Sequence, residues 1–225
     1  MILVFGSINV DLIVPVPHLA QPGETVSTAG ENAIAVSPGA NFDTRSDWIP
    51  DELIDANTIL LAQMEVPLAE TKAMIGRVRQ RGGRCVLNLA PALPIDLMLL
   101  SQIDLLIANE REAPSLATDP ASAARRLRCG IVITRGAAGA TAILADGVRL
   151  DVPALAVDPV DTTGAGDTFA GVLAAGLDLG RSLEAALLQA SAAAGLACRA
   201  HGAQTAMPYA DSIAAAAQRL ATGRN

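Results

Sequence analysis

The sequence predicts an α/β fold with three layers: a mostly parallel sheet with helices on both faces, and a small β cover, or lid, sheet beside it. Three observations predict it. From residue 50 onward, short apolar runs alternate with stretches of helical period. The first run, Ile2-Leu3-Val4-Phe5, is continuously apolar and ends at Gly6, as expected of a central strand buried on both faces. Polar residues gather just after the apolar runs, at the edge of an open parallel sheet where ligands bind.

The elements follow in order. After the strand at 2–5, three β-like pieces at 12–16, 24–28 and 32–37 are short, polar and punctuated by Pro15, Pro17, Pro22 and Gly23, which suits edge strands and turns. They make the cover sheet. A polar connection at 41–51 holds Trp48, whose ring is expected to pack over the adjoining helix. A strand at 58–63 leads to a helix at 68–81, stopped by Gly82-Gly83. A strand at 84–89, a short helix at 95–100 and a strand at 105–108 come next. The helix at 121–128 opens on Asp119-Pro120 and precedes the strand at 131–134. Segments 141–144 and 148–152 read as a hairpin around Asp146-Gly147. Helices at 167–177, 183–199 and 209–221 complete the chain.

Composition narrows the function. The 225 residues are 51% hydrophobic and only 2% aromatic, so the core is built from Ala, Leu, Val and Ile. A net charge of −7 argues against nucleic acid, whose backbone demands a basic surface. The apolar tract at 185–198 contains Gln189 and is too short to span a bilayer. Cys85, Cys129 and Cys198 are widely spaced in apolar company and read as buried free thiols. With no basic segment before the first strand, this usage predicts a cytoplasmic protein. His18 and His201 lack partners at metal-ligand spacing and read as surface or packing residues.

The chain is organised around Val160-Asp161-Thr162-Thr163-Gly164-Ala165-Gly166-Asp167-Thr168-Phe169-Ala170-Gly171. Gly164 and Gly166 let backbone amides approach a ligand at a helix start, where an anion is favoured. Asp167 falls in the same turn. A carboxylate beside an anion cradle makes sense where it takes a proton from a nucleophile attacking that anion. An ordinary capped helix start with an acidic first turn fits the same string. The Gly-Lys-Ser/Thr of a P-loop is absent, and the glycine spacing is not that of a dinucleotide fingerprint. Asn9 and Asp11, two residues apart after the first strand, suit the vicinal hydroxyls of a polyol, or alternatively a polar turn. Glu65, Asn109, Glu112 and Thr134 stand at other strand ends. Thr134-Arg135-Gly136-Ala137-Ala138-Gly139 is a turn fit to lie against phosphates or a base, or a plain hairpin turn.

These strings together resemble the ribokinase (PfkB-type) family of sugar and nucleoside kinases. Gly6-Ser7-Ile8-Asn9-Val10-Asp11, Pro22-Gly23-Glu24-Thr25, Ser37-Pro38-Gly39-Ala40-Asn41, Gln63-Met64-Glu65-Val66-Pro67, Asn109-Glu110-Arg111-Glu112, residues 161–171 and Gly202-Ala203-Gln204 occur in the family's order over nearly the whole chain. The resemblance implies one ribokinase-like α/β domain over 1–225, with 12–41 contributing the lid. It implies transfer of the ATP γ-phosphoryl group to the terminal hydroxyl of a pentose such as D-ribose. Asp167 would be the base and Gly164, Ala165 and Gly166 the anion hole. Asn9, Asp11 and Glu65 would bind the sugar. Asn109 and Glu112 would organise Mg²⁺ and phosphates, and Thr134, Gly136, Gly139 and Ser191 would line the ATP site. Asp161 and the carbonyls of Thr163, Ala197, Ala200 and Gly202 would hold K⁺, although Ala206 stands where the family often has a hydroxyl. A homodimer through the lid strands is also implied.

One departure stands against these matches. The family's sugar-gripping Gly-Gly-Lys-Gly-Ala-Asn motif is missing: Thr28-Ala29-Gly30 runs straight into Glu31-Asn32-Ala33. Gly39-Ala40-Asn41 belongs to a later cover strand. A block between about residues 30 and 31 is therefore absent, by a real deletion or because this chain leaves out a segment, and the intact flanking motifs favour the second. A real deletion would expose apolar surface. Two functions follow: a sugar kinase (D-ribose first, then other sugars or nucleosides), or a non-catalytic nucleotide- or sugar-binding remnant. Scarce aromatics weigh against a nucleoside acceptor.

Overall fold

The computed structural model describes residues 1–10, 39–116 and 119–223. The lid pieces at 12–16, 24–28 and 32–37, the junction at 30–31, and the side chains of Asp11 and His18 lie outside the described residues.

Among the described residues seven strands form one sheet whose spatial order equals chain order: β1 (Ile2–Phe5), β2 (Ile59–Ala62), β3 (Arg84–Asn88), β4 (Leu105–Asn109), β5 (Gly130–Thr134), β6 (Ala140–Ile143) and β7 (Arg149–Val152). β1 to β5 are all parallel, so each return needs a crossover on a sheet face. β5, β6 and β7 are antiparallel and need only turns. The register Asn109↔Thr134 sets the polar ends of β4 and β5 side by side.

The helices separate into two layers. On one face α1 (Leu68–Gln80), α2 (Leu97–Leu100) and α3 (Pro120–Leu127) bury Met74, Ile75, Val78, Ala123, Ala124 and Leu127 against Leu60, Leu87, Leu106 and Ile131. On the other, α4 (Ala165–Asp178) and α5 (Leu183–Ala197) set Phe169, Leu173, Leu187 and Ala190 on Ile59, Ile107, Val132 and Ala142. Side chains alternate along each strand, so Ile131 feeds one core and Val132 the other. Each large side chain so buried contributes roughly 1.5–3 kcal/mol. α6 (Ala210–Ala221) packs on the outside of α5, with Ala216 and Leu220 against Ala192 and Leu155.

Local chemistry sets the boundaries. Asp119 caps α3 by accepting from the Ala121 and Ser122 amides, with Pro120 at the first helical position. Ser182 caps α5 through the Ala185 amide. The β6–β7 turn closes when the Val148 amide donates to the Asp146 carboxylate at 3.0 Å.

Trp48 departs from its expected packing: it is 63% exposed. The turn that carries it is seated by polar clamps instead. Ser46 donates its amide and hydroxyl to Glu70 on α1 at 2.8 and 2.9 Å, and Arg77 reaches the Ser46 and Ile49 carbonyls. The buried residue of that turn is Ser46, and the ring points outward. Cys85 and Cys129 are buried as expected, and burial raises their thiols to about 12 and about 11, while Cys198 is only half-buried. Among the described residues β1 is an edge strand, with Val4 67% exposed, rather than the central strand its continuous apolar run predicts.

Candidate active site

The C-terminal ends of the parallel strands carry two groups of candidate site residues. The first lies beyond β1 and β2. The Ser7 hydroxyl donates to Glu65 Oε2 at 2.6 Å, the Asn9 amide donates to the same oxygen at 2.8 Å, and Gln63 Nε2 donates to Ser7 Oγ at 2.6 Å. Asn41 closes the group, with Nδ2 2.8 Å from Asn9 Oδ1. Asn9 and Glu65, chosen from sequence, therefore meet. Ser7, Gln63 and Asn41 complete their network and were not singled out as site residues. Ser7 and Gln63 have a readable signal, since each follows a strand by one or two residues; Asn41 ends a string that resembles the family, but nothing in its position points to this cluster.

The second group surrounds a cavity of about 1270 Å³ between the β5–β6 turn, the segment at 154–159, the start of α4 and the face of α5. Thr134, Gly136, Gly139, Ala165, Gly166 and Ser191 all line it. Its base is apolar, from Leu155, Val157, Phe169 and Ala194, and Arg199 and Arg219 stand in its wall. Arg219 comes from α6, whose face toward the cavity no motif announces. Gly139 has φ +86°, and a Cβ there would lie 2.1 Å from the Val152 carbonyl oxygen, so only glycine lets the turn lie against the segment after β7. The Ser191 hydroxyl is spent on the Pro153 carbonyl at 2.6 Å, so Ser191 shapes the wall and pins α5 to that segment.

The α4 start has the expected form with one refinement. Gly164 is the N-cap in the left-handed region, φ 72°, and a Cβ there would sit 3.2 Å from Ala203 atoms. The Ala165 amide donates to the Thr162 carbonyl at 3.2 Å, whereas the Gly164 and Gly166 amides take no backbone acceptor among the described residues. Those two amides are the donors left for the expected cradle. Asp167 follows in the same first turn and is exposed.

Asp161 ties this loop to the next. Its two oxygens accept from the Thr163 amide at 2.9 Å and the Gly202 amide at 3.0 Å. The Gly202 amide foremost, then Thr163, holds the carboxyl down at about 2. Ala197 ends α5, and Ala200 and Gly202 lie in the turn just beyond it, so carbonyl-bearing residues of the expected cation loop adjoin Asp161. The Gly202 carbonyl also accepts from Ala206 at 3.3 Å, and the Thr205 hydroxyl bonds the His201 carbonyl close by. Asn109 and Glu112 do not line the cavity. They brace the turn after β4: Asn109 Oδ1 accepts from the Arg111 and Glu112 amides, and Glu112 Oε2 accepts from the Asn109 amide. Among the described residues no three His, Cys, Asp or Glu side chains cluster as metal ligands.

Beside this helix start, its nucleotide-sized cavity and the polar cluster beyond β1 and β2 stands a match by sequence: the family model described as pfkB family carbohydrate kinase aligns with residues 6–210. The chain belongs to the pfkB family of carbohydrate kinases. It is 32% identical over 215 residues to the ribokinase of Bacillus subtilis, covering 92% of this chain and 72% of that one. To the ribokinase of Lactococcus lactis it is 30% identical over 197 residues, covering 84% of this chain and 64% of that one. The solved structure of Arabidopsis thaliana ribokinase complexed with ribose and ATP superposes with a TM-score of 0.73 at 27% identity, over 84% of this chain and 66% of that one. This pfkB chain thus spans about two thirds of the length of such relatives. No helix among its described residues is long and apolar enough to cross a membrane.

Proposed function

We propose that this chain is an ATP-dependent sugar kinase that transfers the γ-phosphoryl group to the 5-hydroxyl of D-ribose. The observation that carries the proposal is the α4 start. The Gly164 and Gly166 amides take no backbone acceptor among the described residues, Gly166 lines a cavity large enough for a nucleotide, and Asp167 stands one residue further along the same turn. The Arabidopsis relative, solved with ribose and ATP, supplies the substrate pair.

In this reading Asp167 takes the proton of the sugar hydroxyl as its oxygen attacks phosphorus. The Gly164 and Gly166 amides hold the charge that develops on the transferring group, and turnover comes mainly from positioning and charge stabilisation. Asn9 and Glu65, with Asp11 two residues further along the chain, hold sugar hydroxyls. Thr134, Gly136, Gly139 and the wall shaped by Ser191 receive the nucleotide. Glu112 has one oxygen without a hydrogen bond among the described residues, so with Asn109 it suits Mg²⁺ held through waters, which would offset phosphate charge. The ionised Asp161 and the carbonyls of Thr163, Ala197, Ala200 and Gly202 are hard oxygen donors suited to K⁺.

A second reading rests on the absence of the family's glycine-rich sugar motif from all 225 residues: a nucleotide- or sugar-binding protein without turnover. ADP release from ATP and D-ribose, with and without K⁺ and with Asp167→Asn as control, decides between them. Ribose-dependent turnover lost in the variant supports the kinase. ATP binding with no turnover on any pentose supports the second reading.

A further inference from the structure

The cluster beyond β1 and β2 carries an inference that deepens, and rests on, the sugar-binding part of the proposed function. A side-chain carboxamide is almost symmetrical in shape, yet one end donates and the other accepts. Which end of Asn9 faces which neighbour therefore decides what the site offers a ligand, and the structure contains a device that decides it.

That device starts at the backbone. The Ile8 amide donates to Asn41 Oδ1 at 2.9 Å, and Asn41 Nδ2 donates to the Ile8 carbonyl at 3.2 Å. Backbone groups cannot exchange roles, so this pair leaves Asn41 one orientation. Its second amide hydrogen is directed at Asn9, 2.8 Å away, and demands an acceptor there. Asn9 must present Oδ1 to Asn41. Its Nδ2 is thereby turned toward Glu65 Oε2 at 2.8 Å and Ser7 Oγ at 3.2 Å. A reversed Asn9 would set two donors against each other at Asn41 and two acceptors against each other at Glu65.

A count of donors gives the consequence. Both Asn41 hydrogens are used, on the Ile8 carbonyl and Asn9. Both Asn9 hydrogens go to Glu65 and Ser7, the Ser7 hydroxyl goes to Glu65, and Gln63 Nε2 serves Ser7 and Glu65. Among the side chains of the described residues, what stays open is acceptor capacity: Glu65 Oε1, and the second lone pair of Asn9 Oδ1. We infer that Asn41 is a positioning residue that locks the Asn9 carboxamide through the Ile8 backbone and so makes the side chains of this cluster an acceptor-only surface, selective for ligand hydroxyls that donate.

The test is made on the full chain with two independent readouts. The first is the D-ribose dissociation constant by calorimetry for wild type, Asn9→Ala, Asn41→Ala and the double variant, with ATP affinity measured alongside. Asn41→Ala should weaken ribose about tenfold, the scale of one hydrogen bond to an anchored polar group, and leave ATP unchanged. The double variant should be no weaker than Asn9→Ala alone, because Asn41 acts through Asn9. Full multiplication of the two effects, or wild-type affinity in Asn41→Ala, overturns the inference. Deoxyfluoro pentoses, whose fluorine cannot donate, should bind no better than the deoxy sugars; recovered affinity contradicts the acceptor-only surface. The second readout needs no sugar: the Asn9 side-chain amide protons, assigned by their loss in Asn9→Ala, should be well dispersed and protected from exchange in wild type. In Asn41→Ala they should collapse toward free-amide behaviour. If wild type binds no pentose, the sugar reading fails by itself, and this amide signal alone upholds or overturns the role of Asn41.

Discussion

Replacing Gly166 by alanine should make the protein more stable and nearly inactive, while the same change two residues earlier should be harmful on both counts. At Gly166 an added Cβ meets nothing within 4 Å, and the backbone is not in the left-handed region. A first-turn glycine exchanged for alanine then gains about 0.5–1 kcal/mol, chiefly through the unfolded chain. At Gly164, φ +72° costs an L-residue about 1–2 kcal/mol, and the new methyl would press on Ala203 at 3.2 Å. For a chain of this size each kcal/mol moves the melting temperature by about 2–4 °C. Activity should fall in both, by about 10²–10³, the scale of losing one donor of an oxyanion-type hole. In Gly166→Ala the amide survives, but a methyl stands where the phosphoryl group must approach. Thermal melts and ribose-dependent ADP release on the same preparations provide the assay. Gly166→Ala retaining turnover within about threefold of wild type, or melting as low as Gly164→Ala, would refute the cradle assigned to these amides.

Further outcomes follow from the same geometry. Asp167→Asn should lower kcat by about 10²–10⁴, the usual contribution of a general base, with the ATP dissociation constant held within about threefold. Glu65→Gln puts an amide where Oε2 now accepts from Ser7, Asn9 and Gln63, and should raise KM for D-ribose about tenfold, read from initial rates. Asp161 is held at about 2 against an ordinary 3.8, so the folded state favours its ionised form. Its contribution is complete above about pH 4 and is lost as pH falls from 4 toward 2. Denaturant midpoints of wild type should drop through that window more steeply than those of Asp161→Asn.

Much of the fold is legible in the sequence because its local signals agree. Asp119-Pro120 starts α3 where a cap and a proline predict it, and Asp146-Gly147 turns the hairpin. Boundaries moved by one or two residues; α2 begins at Leu97 and α4 at Ala165. The earlier α4 start makes Gly164 a left-handed cap and removes the Ala165 amide from the cradle, a detail set by one turn bond to Thr162. Strand order could not be read, since alternation is satisfied by many crossovers. Within the site, Asn9, Glu65, Gly164 and Gly166 stood out because strand ends and helix starts are local features. Asn41 did not, because its 32-residue separation from Asn9 is closed only by the fold. Trp48 was misplaced because aromatic size suggested burial, whereas the Ser46, Glu70 and Arg77 contacts seat that turn.

The most direct test of the central claim is phosphorus NMR of the product formed from ATP, Mg²⁺, K⁺ and D-ribose by the intact chain. A single new phosphomonoester on the 5-oxygen is expected, absent with Asp167→Asn. ATP bound without transfer, or phosphate delivered to another position or only to water, would contradict it.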